Sequence, residues 1–257
     1  MRAEFKLQRN DPRVRLIERR SYPIENVIFD QKVARKEDVP IGPEVHVKIE
    51  AAWQDILKKN PKAFAGETVR LENSYCPAGT EDLCIDVLPS DYKQGMVLGW
   101  LGVAMLPVTS DGYVALQAPV ATIAATIGGG IRTPGCTPPN AHFFCHIVKE
   151  MREEFNVTVS LSQLRVLGLV EVNPPTAKHH YGLIVRVSLK ETFDELKAKW
   201  ETAEDKWEGL ILPFRLTPEN VIKAMFFEKE KYGPVTPLAL HLVAKDQLGD
   251  YGVEVFY

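Results

Sequence analysis

From Gln94 to Ile131 the chain carries a single charged residue, Asp111. This apolar stretch is interrupted by Pro107, by Pro119 and by the triplet Gly128-Gly129-Gly130. No uninterrupted apolar run therefore reaches the roughly 20 residues that a helix needs to cross a bilayer. We expect buried strands here, and we expect no membrane as a partner.

The segments around this stretch alternate between strand patterns and helix patterns, which is typical of an α/β or α+β fold. A hairpin is predicted around the turn Ser110-Asp111-Gly112, because Asp-Gly favours tight turns between strands. The other predicted elements are helices over 45–57, 140–155 and 191–204, a helix opening at Thr217-Pro218, and strands over 68–72, 83–88, 96–108, 113–118, 164–172, 181–189 and 210–214. We expect a smaller α+β extension over residues 1–94 and a main domain over residues 95–257.

Composition narrows the class of protein further. The chain has 257 residues, of which 45% are hydrophobic and 25% charged, so a disordered or collagen-like chain is excluded. Its 31 basic and 34 acidic side chains give no positive field for a nucleic-acid backbone, and we expect no nucleic-acid partner. Four cysteines without a C-x-x-C pair and a charged N-terminus without an apolar segment predict a reduced, cytoplasmic protein.

The segment from Asn140 to Phe155 is the most informative helix pattern. Its apolar residues recur at spacings of three and four, which predicts one buried stripe made of Phe144, Ile147, Val148, Met151 and Phe155. Glu150, Glu153 and Glu154 fall within about one turn of the other surface. Carboxylates so close together repel one another, and a divalent cation such as Mg²⁺ relieves that repulsion. The alternative is an ordinary solvated helix face, and periodicity alone favours it.

Three further groups of polar residues each have two interpretations. His142 and His146 lie one turn apart, with Glu150 one turn further, so they either bind a transition metal or are partly exposed histidines near a phosphate site. The segment Lys178-His179-His180-Tyr181 either contacts an anionic substrate or forms a solvated hairpin tip. Glu208 is either a further carboxylate of the site or an ordinary surface residue.

The segment 149–157 resembles the second half of the Nudix box, whose pattern is G-x5-E-x7-R-E-U-x-E-E-x-G-U with U a bulky apolar residue. The matching residues are Glu150, Met151, Glu153, Glu154 and Val157. Lys149 stands where the family has Arg and keeps the charge. Asn156 stands where the family has Gly, and Asn is the next-best residue for a left-handed helix end.

The first half of the box departs from the family pattern. Fixed spacing from the helix places Gly135 at the family's Gly but Ala141 at its Glu. Alternatively, Ile127-Gly128-Gly129-Gly130 resembles the glycine run that opens the motif, followed by an insertion, and we favour this alignment. The segments Ala51–Leu71 and Val87–Lys93 are similar to the N-terminal part of the atypical Nudix subfamily that hydrolyses UDP-sugars.

The resemblance implies a Nudix-like α/β/α sandwich with a mixed sheet, and a hydrolase that cleaves the pyrophosphate bond of a nucleoside diphosphate linked to another group. The implied cofactor is Mg²⁺, with Mn²⁺ as the alternative ion, and the implied partner is a small-molecule nucleotide; a homodimer is left open. The implied residues are Lys149, Glu150 and Glu153 in catalysis, Glu150, Glu153, Glu154 and Gly130 in metal binding, and Tyr92, Lys178 and Tyr181 in substrate binding. Within the catalytic group, we expect Lys149 to orient Glu150.

Two other functions remain open at this point. The chain could be a Nudix-fold nucleotide-binding module without turnover, since the family's first Glu is absent and Lys replaces its Arg. It could also be a metal hydrolase that uses His142 and His146.

Overall fold

A computed structural model describes residues 5–8, 14–33, 35–63, 65–118, 141–172, 180–205, 209–251 and 253–256. Its strands are β1 (Phe5–Gln8), β2 (Val14–Glu18), β3 (Tyr22–Pro23), β4 (Val27–Gln31), β5 (Glu67–Tyr75), β6 (Leu83–Asp91), β7 (Leu101–Val108), β8 (Tyr113–Ala118), β9 (Leu164–Val172), β10 (His180–Ser188), β11 (Leu210–Arg215) and β12 (Val253–Phe256). Its helices are α1 (Pro43–Lys59), α2 (Tyr92–Leu98), α3 (Ala141–Phe155), α4 (Phe193–Trp200), α5 (Pro218–Ile222) and α6 (Thr236–Leu248).

The central element is a seven-stranded mixed sheet in the order β11-β8-β7-β10-β9-β2, with β3 also paired to β9. Strands β7 and β10 run parallel, and the other described pairs of this sheet are antiparallel. A three-stranded sheet has the order β4-β6-β5, and β1 pairs with β12. The register places Tyr181 of β10 beside Leu101 of β7 and opposite Glu171 of β9.

Helices cover both faces of the seven-stranded sheet. Alternate residues of β10 enter different apolar clusters, because successive side chains of a strand point to opposite faces. Leu183 and Val185 join a cluster with residues of α3, α4 and the three-stranded sheet, whereas Ile184 joins a cluster with residues of α5 and α6. The α/β class and the α/β/α layering with a mixed sheet are thereby confirmed.

Most predicted elements are present, with two clear differences. The predicted strand over 96–108 begins instead at Leu101, because α2 occupies Tyr92–Leu98. The Asp91 carboxylate accepts a hydrogen bond from the Gln94 N–H (2.7 Å) and so caps this helix, and Gly99, with φ +82°, ends it. Helix α6, which the sequence reasoning did not anticipate, is the second difference.

Residues before and after the expected domain boundary at 94/95 both belong to the apolar cluster that contains Leu183 and Val185. Strands β2 and β3, which precede that boundary, pair with β9, which follows it. The division into two domains stays a prediction. Within the described ranges, no helix has both the length and the apolar character needed to cross a membrane.

Candidate metal and nucleotide site on helix α3

Helix α3 buries the stripe that its periodicity predicts. Ile147, Met151 and Phe155 are almost fully buried, and Val148 is partly buried against the same cluster. The side chain of Phe144 lies outside the described part. The helix ends at Asn156, which adopts a left-handed conformation with φ +52° while its N–H donates to the Arg152 carbonyl (2.9 Å). The chain therefore turns where the Nudix pattern has its glycine.

The three carboxylates of α3 have different surroundings. Glu150 Oε1 lies 3.3 Å from His146 Nδ1, and Glu153 Oε2 lies 2.9 Å from Lys149 Nζ. Glu154 is only 5% exposed and His146 only 8%. Since burying a carboxylate is costly unless the surroundings stabilise it, this surface of α3 is not an ordinary solvated face.

Two expectations about the neighbours of these carboxylates change. Lys149 was expected to orient Glu150, but its ammonium group lies beside Glu153, and the side chain beside Glu150 is His146. The alternative in which both histidines are partly exposed does not hold for His146, which is buried. The side chain of His142 lies outside the described part, so the interpretation of two histidines as a metal pair stays a prediction.

The donor set suits a hard divalent ion, although its members do not converge. Among the described residues, no three His, Cys, Asp or Glu side chains are grouped closely enough to hold a metal ion. However, three carboxylates at positions i, i+3 and i+4 supply the oxygen ligands that Mg²⁺ and Mn²⁺ prefer.

The side chain of Tyr181 lies on the face of the sheet that packs against α3. Its ring packs against the cluster that contains Ile147 and Met151. Opposite it in β9 is Glu171, which is 4% exposed and forms an ion pair with Arg15 of β2 at 2.6 Å. Burial raises the pKa of the Tyr181 hydroxyl, and the nearby Glu171 carboxylate raises it further. The Tyr181 hydroxyl is therefore a neutral hydrogen-bonding group at neutral pH.

Tyr92 lies at the other end of a chain of ring contacts that reaches β10. Its ring stacks on Trp100 with centroids 5.4 Å apart, and Trp100 contacts the His180 ring at 4.0 Å. His180 and Tyr181 are consecutive in β10, so their side chains leave the strand on opposite sides. Tyr92 and Tyr181 thus approach the start of β10 from different sides.

Gly130, Lys178 and Glu208 lie outside the described residues, and their assigned roles stay predictions. The sequence reasoning missed Trp100, Arg15 and Glu171. Glu171 had one signal in the sequence: it is the only acidic residue in the otherwise largely apolar strand β9. A charged residue in such a strand indicates a buried ion pair.

Comparisons with known proteins give only distant similarity. No family model matches the chain, and no curated protein matches it. A solved structure of Tm1382, a protein proposed to be a Nudix hydrolase, is similar with a TM-score of 0.49 and 15% identity, over 75% of this chain and 95% of that one. The Bacillus subtilis pyrophosphohydrolase BsRppH gives a TM-score of 0.33 and 15% identity, over 73% and 98%.

An ADP compounds hydrolase gives a TM-score of 0.34 and 14% identity, over 74% of this chain and 100% of that chain. Similarity at this level does not establish a family or an activity. Inferences about function therefore depend on the residues of α3 and of the strands around it.

Proposed function

We propose that this chain is a divalent-metal-dependent hydrolase that cleaves the pyrophosphate bond of a nucleoside diphosphate linked to another group. A UDP-sugar is the substrate that the resemblance of the N-terminal segments favours. A cytoplasmic location and a small-molecule nucleotide partner belong to the same proposal.

The conformation of Asn156 is the observation that carries this proposal. The Nudix pattern needs a residue that tolerates a left-handed backbone directly after the helix, and Asn156 has φ +52° there. This position agrees with the alignment that makes Glu150, Glu153 and Glu154 the family carboxylates.

The carboxylates of α3 would have two roles in the site, metal binding and proton transfer. Glu150, Glu153 and Glu154 would hold the ion, together with the backbone carbonyl of Gly130. A divalent ion bound there supplies neutralisation of the diphosphate charge and lowers the pKa of a coordinated water. One of the carboxylates would take the proton of the attacking water.

The remaining predicted residues would bind and orient the substrate. Lys149, beside Glu153 at 2.9 Å, would position that carboxylate in place of its expected partner Glu150. Tyr181 would donate its neutral hydroxyl to the substrate, Lys178 would contact a phosphate, and Tyr92 would stack against a ring.

A nucleotide-binding module without turnover is the second candidate. The pairing of Glu150 with His146 and of Glu153 with Lys149 favours it, because paired carboxylates are less available to a metal ion. The two candidates differ in whether the chain releases phosphate-containing products.

Substitution of the carboxylates by glutamine tests the proposal. Glu153→Gln and Glu154→Gln each keep the shape of the side chain but remove a negative ligand. With Mg²⁺ or Mn²⁺ and a panel of nucleotide sugars and dinucleotides, we expect turnover to fall by at least about 100-fold in both variants. Product release is measured with a coupled phosphatase.

Glu228→Gln is the matched control for Glu153→Gln. Glu228 pairs with Lys231 at 2.8 Å and its side chain is 22% exposed, against 25% for Glu153, so both changes remove a similar surface ion pair. We expect Glu228→Gln to leave turnover unchanged. Undiminished metal-dependent hydrolysis in Glu153→Gln would remove the catalytic assignment, and nucleotide binding without hydrolysis by the unmodified protein would favour the binding module.

A further inference from the structure

Two polar side chains of β5, Thr68 and Arg70, lie on the same face of the three-stranded sheet. Val69 and Leu71, which alternate with them, pack in the apolar cluster that also contains residues of α3. Because successive side chains of a strand point to opposite faces, Thr68 and Arg70 share the other face, with Cα atoms about 7 Å apart. Strand β5 is an outer strand of its sheet. One small ligand at this edge can therefore contact both side chains.

The hydroxyl group of Thr68 is buried without a partner. Thr68 is 6% exposed, and among the described residues its Oγ1 has no hydrogen-bond partner. The residue opposite it in β6 is Ser90, whose hydroxyl donates instead to Gln94 Oε1 at 3.2 Å. Since a buried hydroxyl without a hydrogen bond is unfavourable and rare, this atom points to a bound polar group.

The guanidinium group of Arg70 is half-buried and forms no hydrogen bond or ion pair within the part of the chain that the structure describes. Burial lowers the pKa of Arg70, and the charge of the exposed Glu72 offsets this effect only in part. Opposite Arg70 in β6 lies Leu88, which is buried and offers an apolar surface but no charge. A cation withdrawn from water is unfavourable unless an opposite charge accompanies it, so an anion would stabilise Arg70.

Two nearby carboxylates of β6 do not supply this anion. Asp86 lies on the same face of the sheet and pairs with Lys32 at 3.0 Å. Asp91, at the end of β6, pairs with Lys36 at 2.6 Å. Each of these carboxylates is matched by one lysine, which leaves the charge of Arg70 unbalanced.

A carboxylate group matches Thr68 and Arg70 in geometry and in charge. The planar fork of a guanidinium donates two parallel hydrogen bonds to the two oxygens of a carboxylate. The Thr68 hydroxyl, two residues away on the same face, can donate to one of these oxygens. The single charge of a carboxylate balances the single charge of Arg70, whereas a phosphate monoester brings about two negative charges.

We infer that Thr68 and Arg70 form a binding site for the carboxylate group of a small-molecule ligand. The inference assigns a binding role to the three-stranded sheet, and it does not depend on the hydrolase activity proposed for α3. Failure of one proposal therefore leaves the other unaffected.

Titration of the unmodified protein with sodium acetate tests this site. Binding is followed through the backbone amide NMR signals of residues 67–71, with sodium chloride at the same ionic strength as the reference. We expect saturable shifts of these signals with acetate and none with chloride. Inorganic phosphate is the competing probe, and saturable shifts with phosphate but none with acetate would overturn the assignment to a carboxylate.

Two variants separate the contributions of the two side chains. Arg70→Lys keeps the charge but loses the planar fork, and we expect it to weaken acetate binding about tenfold. Thr68→Val keeps the shape of the side chain but loses one hydrogen bond to the ligand, and we expect it to weaken binding about fivefold. Because the Thr68 hydroxyl has no partner in the described chain, Thr68→Val should not lower the free energy of unfolding measured without acetate.

Arg215→Lys is the matched control, because Arg215 also lies on a strand but its guanidinium already donates to the Asp111 carbonyl at 2.6 Å. It should leave the acetate affinity unchanged. No saturable shift with acetate, or equal acetate affinity in Arg70→Lys and the unmodified protein, would overturn the inference. A Thr68→Val protein that is clearly less stable without acetate would remove Thr68 from the site.

Discussion

At the residue scale, Asn156 ends the helix that carries the candidate site, and its backbone conformation marks where that helix stops. It ends α3 in the left-handed region, and its Nδ2 donates to Thr202 Oγ1 at 2.9 Å, which ties the end of α3 to the segment after α4. A residue with a Cβ and no short polar side chain is strained in this region.

Replacement of Asn156 therefore separates conformational strain from hydrogen bonding. We expect Asn156→Ala to lower the free energy of unfolding by about 1–2 kcal/mol, the cost of the left-handed conformation. Asn156→Gly loses the bond to Thr202 but removes the strain, and should stay within about 0.5 kcal/mol. Urea denaturation measures both.

Asn60→Ala serves as the comparison for this pair of variants. Asn60 ends α1 with φ −137°, a conformation that alanine adopts without strain. We expect a smaller loss than for Asn156→Ala. Equal stability of Asn156→Ala and Asn156→Gly would contradict the role given to the left-handed backbone.

At the element scale, the pairing of β2 with β9 depends on a close approach of two backbones. A Cβ on Gly168 of β9 would lie 2.8 Å from the Glu18 carbonyl oxygen and 3.2 Å from Leu242 Cδ1 of α6. The register between the two strands shifts between Leu16 and Glu18, next to this contact. Glycine in β9 therefore marks a place where backbone and helix approach closely.

Substitution of Gly168 should loosen this edge of the sheet. We expect Gly168→Ala to destabilise the protein by about 1–3 kcal/mol, as overpacking of a well-packed site does. Gly182→Ala is the matched variant in the neighbouring strand β10, where the nearest atom, Val170 Cγ2, is 3.4 Å away and can adjust. Thermal denaturation should show a clearly smaller effect for Gly182→Ala, and the reverse order would contradict this account.

At the scale of the whole molecule, α6 contributes to the apolar cluster that contains Ile184, and it also contains a buried histidine. Residues 236–244 of this helix are all buried, and His241 is hydrogen bonded to the Tyr251 hydroxyl at 2.5 Å. Burial, together with the charge of the nearby Lys245, lowers the pKa of His241 to about 4. The folded state therefore holds this histidine neutral.

This shift makes the stability of the whole chain depend on pH. The unfolded chain takes up a proton near the ordinary pKa of 6.5, whereas the folded chain resists it until about 4. Stability is consequently lost as the pH falls from about 6.5 towards 4, by about 3 kcal/mol from this residue. We expect His241→Gln to reduce this slope of unfolding free energy, and His46→Gln, on the exposed side of α1, to leave it unchanged. An unaltered slope in His241→Gln would remove the assignment.

The sequence alone predicted those features of this molecule that depend on neighbours along the chain. Strands β8 and β9 and the buried stripe of α3 follow from apolar periodicity, and the turn before Tyr113 follows from Asp-Gly. The Glu150, Glu153 and Glu154 group was identified for the same reason, since a helix brings residues three and four apart together.

Apolar periodicity did not predict the correct elements in two places. One is a helix that is buried on all sides, and the other is an apolar run that is divided between a helix and a strand. Helix α6 is buried on all sides over 236–244, so it has no polar face to reveal its period. The run from Met96 to Val108 reads as one strand, but its first residues belong to α2, which the Asp91 cap begins. Nothing in that run's own composition separates the two.

Only the tertiary structure decided which side chains of the candidate site are buried and what they contact. Burial of Glu154 and His146, the Arg15–Glu171 pair and the stack of Tyr92, Trp100 and His180 each require segments far apart in the sequence to meet. A residue's identity sets the chemistry it can supply. The strands and helices packed around it set its exposure, its charge and its partners, because these depend on the distances that folding imposes.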